Sequence, residues 1–238
     1  MAVYVIADLH LATANADKSM EVFGKRWTDY MKKIRTRWNN VITDNDTVII
    51  PGDISWGLVT EDSLDDLLWL DSLNGQKIIM KGNHDFWWST ISKLKIFFEN
   101  NGIKSITLLQ NNAIEIENYI VAGSRGWFTD KSMQNVEENV DYDKIVKRES
   151  IRLQMSLSTA INIKATTNKE IIAFLHFPPV WGEFVCQPIL DVLKKYNIKR
   201  CYFGHIHGSY AHPDVFEYEN INFYMISADF LDFIPKIV

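Results

Sequence analysis

"IIMKGNHDFWW", residues 78–88, runs three apolar residues into Lys81, then into a glycine, an amide, an imidazole and a carboxylate before three aromatics. A short apolar run of this kind reads as a buried strand. Its end reads most simply as a polar turn, because glycine and asparagine favour turns. A plain turn does not require Asn83, His84 and Asp85 in succession, so the way the other strands end decides the matter.

Similar apolar runs, short and rich in Ile, Val and Phe, recur at 3–7, 48–50, 77–80, 106–109, 119–122, 171–175, 200–203 and 222–227. Helical patterns lie between them. Met20, Phe23, Trp27, Met31, Ile34 and Trp38 form one stripe. Thr60 is placed to cap a helix with Glu61 and Asp62 in its first turn and Leu64, Leu67 and Leu68 as its buried face. Further helices are expected over 88–100, with Gly102 just past the end, and over 142–161 and 189–196. Strands alternating with helices predict an α/β protein, and 238 residues suit a single domain spanning 1–238. In α/β folds ligands gather at the carboxyl ends of the strands.

The strand ends meet that expectation. The run at 3–7 leads into Asp8-Leu9-His10, and the run at 48–50 into Pro51-Gly52-Asp53. The run at 77–80 leads into Asn83 and His84, that at 171–175 directly into His176, and that at 200–203 into Gly204-His205-Ile206-His207. Of six histidines only His212 falls outside this set, so chance placement of polar residues is a poor account of it. Any one of them alone would read as an ordinary polar residue.

Imidazole and carboxylate donors without thiolates suit Mn, Fe, Zn, Co or Ni. Alternation along an extended segment would put Asp8 and His10 on one side, and His205 and His207 likewise. The donors outnumber the four that one tetrahedral ion takes, so two ions are expected, with a carboxylate able to bridge them. Paired metals serve phosphatases and nucleases, and also aminopeptidases.

The remaining composition narrows the setting. A formal net charge of −5 provides no global basic field for nucleic acid. Cys186 and Cys201 form no disulfide framework and no CxxC pair, which points to inert thiols in a reducing compartment. No stretch has the roughly 20 apolar residues of a membrane span, and residues 1–10 lack a signal-peptide pattern, so a soluble cytoplasmic protein is expected. The segment "KRWTDYMKKIRTRW" is strongly basic, yet its apolar stripe explains it as a docked helix with a solvated face, and nucleic acid is not expected as a partner.

The ordered set DLH, GD, GNHD, a lone histidine and GHIH, from Asp8 to His207, closely resembles the calcineurin-like metallophosphoesterases. "PGDISW", "SRGW", "HFPP" and "FGHIHG" resemble a bacterial subgroup known as predicted phosphohydrolases. The resemblance implies a four-layer sandwich of two mixed β-sheets flanked by helices. It implies that Asp8, His10 and His207 bind a first metal, that Asn83, His176 and His205 bind a second, and that Asp53 bridges both. His84 would protonate the leaving oxygen while a metal-bridging hydroxide attacks phosphorus in line. The implied substrate is a phosphomonoester or phosphodiester, small or nucleotide-like. Within this picture Asn83 offers an amide oxygen, Gly82 eases the exit from the strand, and Asp85 is structural.

The resemblance has one departure. Ser/Thr protein phosphatases of this superfamily carry an Asp–Arg pair three and four residues after the bridging aspartate, where this chain has Trp56 and Gly57. That weighs against protein phosphatase activity, which stands with nuclease activity as an alternative, and it leaves open what supports His84. A catalytically silent scaffold is the alternative of another class, but the complete ligand set and His84 argue against it. Arg125, in "AGSRGW", is a candidate for holding phosphate oxygens, against a solvated loop arginine. Trp56, Trp87, Trp88, Trp127 and Trp181 lie near the motifs, as core or as cleft walls. Pro178 and Pro179 stiffen the segment after His176.

Overall fold

The computed structural model describes residues 1–13, 16–128 and 141–238. The chain falls into two compact units: Met1–Leu108 with His205–His212 and Ile226–Val238, and Leu109–Gly204 with Pro213–Met225. Each is built on its own mixed sheet with helices, giving the two mixed sheets the sequence implies.

In the first unit β1 (Val3–Val5), β2 (Thr47–Ile50), β3 (Gln76–Ile79) and β4 (Ile106–Leu108) are parallel, and β13 (Lys236–Ile237) adds an antiparallel edge beside β1. The parallel strands need crossovers, which α1 (Tyr30–Val41), α2 (Leu64–Asp71) and α3 (Ile91–Asn100) supply. Strand β2 is buried at every position, as a covered parallel strand must be. Its Val48 and Ile50 join Ile34, Trp38, Leu67 and Phe98 in one apolar cluster.

The second unit orders β11 (Val215–Tyr218), β12 (Ile221–Met225), β10 (Arg200–Phe203), β7 (Glu170–Leu175), β6 (Tyr119–Ser124) and β5 (Ala113–Glu115) side by side. The four central strands are parallel and both edges are antiparallel. Helix α4 (Tyr142–Thr167) packs on β5, β6 and β7, and α5 (Gln187–Lys195) packs on α4. A small hairpin joins β8 (Val180–Trp181) to β9 (Phe184–Val185). Cys186 and Cys201 are free and buried. Burial pushes both thiols up, that of Cys186 to about 11, so neither is a nucleophile at neutral pH.

Several element boundaries differ from the sequence reading. The stripe that begins at Met20 is helical only from Tyr30, and Met20–Phe23 and Lys25–Trp27 are single 3-10 turns. Gly24 at φ 119° and Asp29 at φ 53° interrupt the pattern, since neither continues a right-handed helix. Thr60 does not cap a helix: its hydroxyl donates to the Trp87 carbonyl at 2.9 Å, and Glu61–Ser63 is a 3-10 turn. Starting at Leu64, α2 buries Leu67 and Leu70 and leaves Leu68 39% exposed. Helix α3 does have a side-chain cap: Thr90 accepts from the Lys93 amide at 3.4 Å, so the helix starts at Ile91, three residues after Trp88. Helix α4 runs past Ile161 to a left-handed Asn168.

One buried charge sits in the first sheet. Lys77 is fully buried, and its ammonium donates to the carbonyls of Leu73 and Asp71 and to Ser105 Oγ at 3.0 Å. Burial lowers its pKa to about 8. The unfolded chain therefore holds more protons than the folded one between about pH 8 and the usual lysine value near 10.4, and stability gains a rising component across that window. Urea unfolding of wild type and Lys77→Met at pH 7.5 and 10 should show this component in wild type only, and an equal pH response in both chains would refute it.

Candidate metal centre and active site

The residues after β1, β2 and β3, together with residues 205–207, meet within the first unit. They do so on bent backbone. Asp8, His10, Asp53 and His205 have φ of 60°, 46°, 53° and 69°. The extended-segment argument for Asp8 and His10 is therefore corrected: left-handed turns bring them together. Such conformations are costly for residues with a side chain and persist where surrounding contacts impose them. Here the Asp8 amide donates to the Gly52 carbonyl at 3.1 Å and the His10 amide to the Asp53 carbonyl at 2.9 Å. The Tyr30 hydroxyl holds the His10 carbonyl at 2.6 Å.

Asp8, His10 and His207 present donor atoms within 4.8 Å of one another. The Nε2 atoms of His10 and His207 are 3.2 Å apart, and an Asp53 carboxylate oxygen lies 3.6 Å from His10 Nε2. Ligands about 2.0–2.2 Å from one tetrahedral ion stand roughly 3.3–3.6 Å apart, so this donor set fits a divalent cation. Asp53 and His205 also place donor atoms within 4.8 Å of each other, and His205 Nδ1 is 3.0 Å from the Asn83 amide oxygen. The Asp8 carboxylate accepts from the His205 amide at 2.8 Å, and that of Asp53 accepts from the His84 amide at 2.8 Å.

Asp85 has the structural role expected of it. It is fully buried and accepts from the amides of Gly82, Asp53, Ile54 and Ser55 and from the Trp87 indole, at 2.8 to 3.2 Å. Burial and the adjacent Asp53 carboxylate push its pKa up to about 6, against the pull of those donors. Gly82 is needed for a different reason from the one expected. A Cβ there would overlap the carboxylate and amide of Asp53, so glycine lets the two loops touch.

His84 faces Trp56, with ring centroids 4.5 Å apart, and lies 5.6 Å from the His10 ring. Trp56 in turn stacks on His10 at 4.9 Å and 25°. An indole thus stands beside His84 in a chain that lacks the protein-phosphatase carboxylate. Sequence reasoning missed Asp229, which is fully buried. Its carboxylate accepts from His207 Nδ1 at 2.8 Å, the Gly208 amide at 3.0 Å and the Tyr210 hydroxyl at 3.0 Å. Burial alone would raise the Asp229 pKa, but these hydrogen bonds hold it below the usual carboxylate value. Burial likewise disfavours charge on His207, yet the Asp229 hydrogen bond and the charges of Asp8, Asp229 and Asp53 raise its pKa to about 9. The signal for Asp229 was its position just after the apolar run at 222–227.

His176 and Arg125 belong to the second unit. His176 is buried directly after β7, and its amide donates to the Arg125 carbonyl at 3.1 Å. The solvated-loop alternative for Arg125 is set aside. Its side chain is mostly buried, meets the buried Glu149 carboxylate at 3.4 Å and covers the Trp127 ring at 4.4 Å. Trp87 and Trp88 are core residues in the main apolar cluster.

A cluster of histidines and carboxylates at the strand ends of an α/β fold defines a metal-dependent enzyme site. The family model for calcineurin-like phosphoesterases matches residues 1–209, and the chain belongs to that family of hydrolases acting on phosphoester bonds. No curated protein matches it. Among solved structures, the phosphopantetheinyl hydrolase (PptH) of Mycobacterium tuberculosis is similar at 12% identity with a TM-score of 0.54, over 100% of this chain and 95% of that one. A protein of Thermus thermophilus is similar at 12% identity with a TM-score of 0.55, over 96% of this chain and 89% of that one. At these identities the likeness is one of fold.

Proposed function

We propose that the protein is a dimetal phosphohydrolase that cleaves a phosphomonoester or phosphodiester of a small or nucleotide-like substrate. The observation that carries this reading is the convergence of Asp8, His10, His207 and Asp53 within hydrogen-bond to ion-pair distance beside His84. Asp8, His10 and His207 would hold one divalent ion, and Asn83, His176 and His205 another, with Asp53 shared. Bound there, Mn, Fe, Zn or Co would supply positive charge to phosphoryl oxygens and an acidified water.

The chain's own groups do the rest. Asp85 holds the Asp53 loop through its amides. Asp229 fixes the proton of His207 on Nδ1, which leaves Nε2 as the donor to a metal. His84 donates a proton to the leaving oxygen. Arg125, tied to Glu149, is a second candidate for phosphate contact. Trp56 and Gly57 in place of an Asp–Arg pair favour this reading over a protein phosphatase. The retained donor set favours it over a silent scaffold, and the net charge of −5 favours it over a nuclease.

Two further readings go with it. A reducing, cytoplasmic setting fits the two buried free thiols. No helix among the described residues is long and apolar enough to cross a membrane. We read residues 1–238 as one functional domain, because the family match runs through segments of both units.

Metal loading tests the proposal. Titration should reach two ions per chain, and exhaustive chelation should lower the thermal midpoint, because ions that bind only the folded state stabilise it. Asp53→Asn should weaken both ions together. One ion at saturation, or an unchanged midpoint after stripping, would sink the dimetal reading. A panel of mono- and diesters tested with each metal then separates the two activities.

A further inference from the structure

The candidate site opens into a cavity of about 440 Å³, the size of a small-ligand pocket. Beyond the histidines, Asp53 and Gly208, its walls are Met20, Phe23, Trp27, Trp56 and Tyr210. No lysine or arginine side chain is among the described residues that line it. Arg26 comes near, over the Tyr210 ring at 4.3 Å, but its guanidinium is taken by the carbonyls of Asp229 and Phe230 and the carboxylate of Asp232. A polyphosphate tail or a run of phosphodiesters needs several cationic partners, and this wall supplies none.

Core packing explains some of these rings and not others. Trp27 is 2% exposed and sits edge-on to the rings of Tyr30 and Phe233, so it belongs to the core. Phe23 lines the same cavity but is 69% exposed. Phe86 is also exposed, with its ring 6.4 Å from that of His84. Exposed phenyl rings beside a reactive cleft gain by being covered, and aromatic faces favour flat partners. Trp56 is already used in this way, stacked on His10.

Resting on the phosphoesterase reading, we propose that the organic part of the substrate is a flat ring that stacks against Phe23 in this cavity. The substrate class is then a monophosphate ester, or its diester, that carries a flat aromatic ring, and not a sugar phosphate without such a ring, a polyphosphate or a lipid chain.

Non-hydrolysable phosphonates test this without the influence of leaving-group reactivity. Calorimetry on the Mn-loaded chain should show benzylphosphonate binding about tenfold tighter than methylphosphonate, the scale of one stacked ring plus its burial. Phe23→Ala should remove most of that advantage and leave methylphosphonate affinity and Mn content unchanged, and Phe23→Trp should restore it. Equal affinity for the two phosphonates, or an advantage untouched by Phe23→Ala, would overturn the proposal. So would hexylphosphonate binding as tightly as benzylphosphonate. If no phosphonate binds and no phosphoester is cleaved at full metal loading, the phosphoesterase reading itself fails.

Discussion

His84→Ala lowers turnover by about 10²–10⁴-fold on a phosphoester with a poor leaving group, the usual loss when a general acid is removed. On the dimetal proposal its metal content should not change, because the variant removes a ring that faces Trp56 and His10 and keeps the backbone amide that holds Asp53. With an activated leaving group such as nitrophenolate the loss shrinks, since that group departs without needing a proton. Steady-state kinetics on the two substrates, with metal analysis of the same preparations, make the check. Loss of a metal in His84→Ala would mean that the division between ligands and acid is wrong. An equal loss on both substrates would mean that His84 positions the phosphoryl group and does not donate a proton.

Asp85→Ala should have the larger effect on the fold. The substitution leaves four backbone amides and one indole N–H buried without their acceptor. Each buried unsatisfied donor costs about 1–3 kcal/mol, so the sum rivals the roughly 5–15 kcal/mol of net stability of a whole domain. The variant should unfold at a far lower temperature and bind metal poorly, because three of the four amides released belong to the Asp53 loop and the fourth is that of Gly82, which touches it. Asp85→Asn keeps one acceptor oxygen and should fall between the two. Circular-dichroism melting and metal binding on all three chains test this, and a midpoint of Asp85→Ala within a few degrees of wild type would refute it.

Much of the candidate site was legible in the chain. Buried parallel strands are apolar runs, so a donor that follows one stands out. All seven candidate metal ligands and His84 stand out in this way, whereas the structural reading of Asp85 came with the family resemblance. The central strands of both sheets were legible for the same reason. The strands at β5, β11 and β13 were not, because short edge strands with few buried positions have no pattern of their own and owe their pairing to a neighbour. The early helix was overdrawn because a stripe of apolar residues does not reveal that Gly24 and Asp29 leave the helical region.

The sequence by itself determined the α/β class, the family and the set of candidate donors, since those rest on local pattern: an apolar run, a turn, a polar residue. Only the tertiary structure decided how the donors meet. Left-handed turns at Asp8, His10, Asp53 and His205 are imposed by hydrogen bonds between segments far apart in the chain, and no local pattern encodes them. The same holds for Gly82, which is required by the closeness of Asp53. It holds for Trp56, whose ring meets His10 and His84, and for Asp229, which reaches His207 from the segment that follows β12. Residues that supply chemistry are recognisable from their type and spacing, whereas residues that orient them are ordinary in type and acquire their role from what folding places beside them.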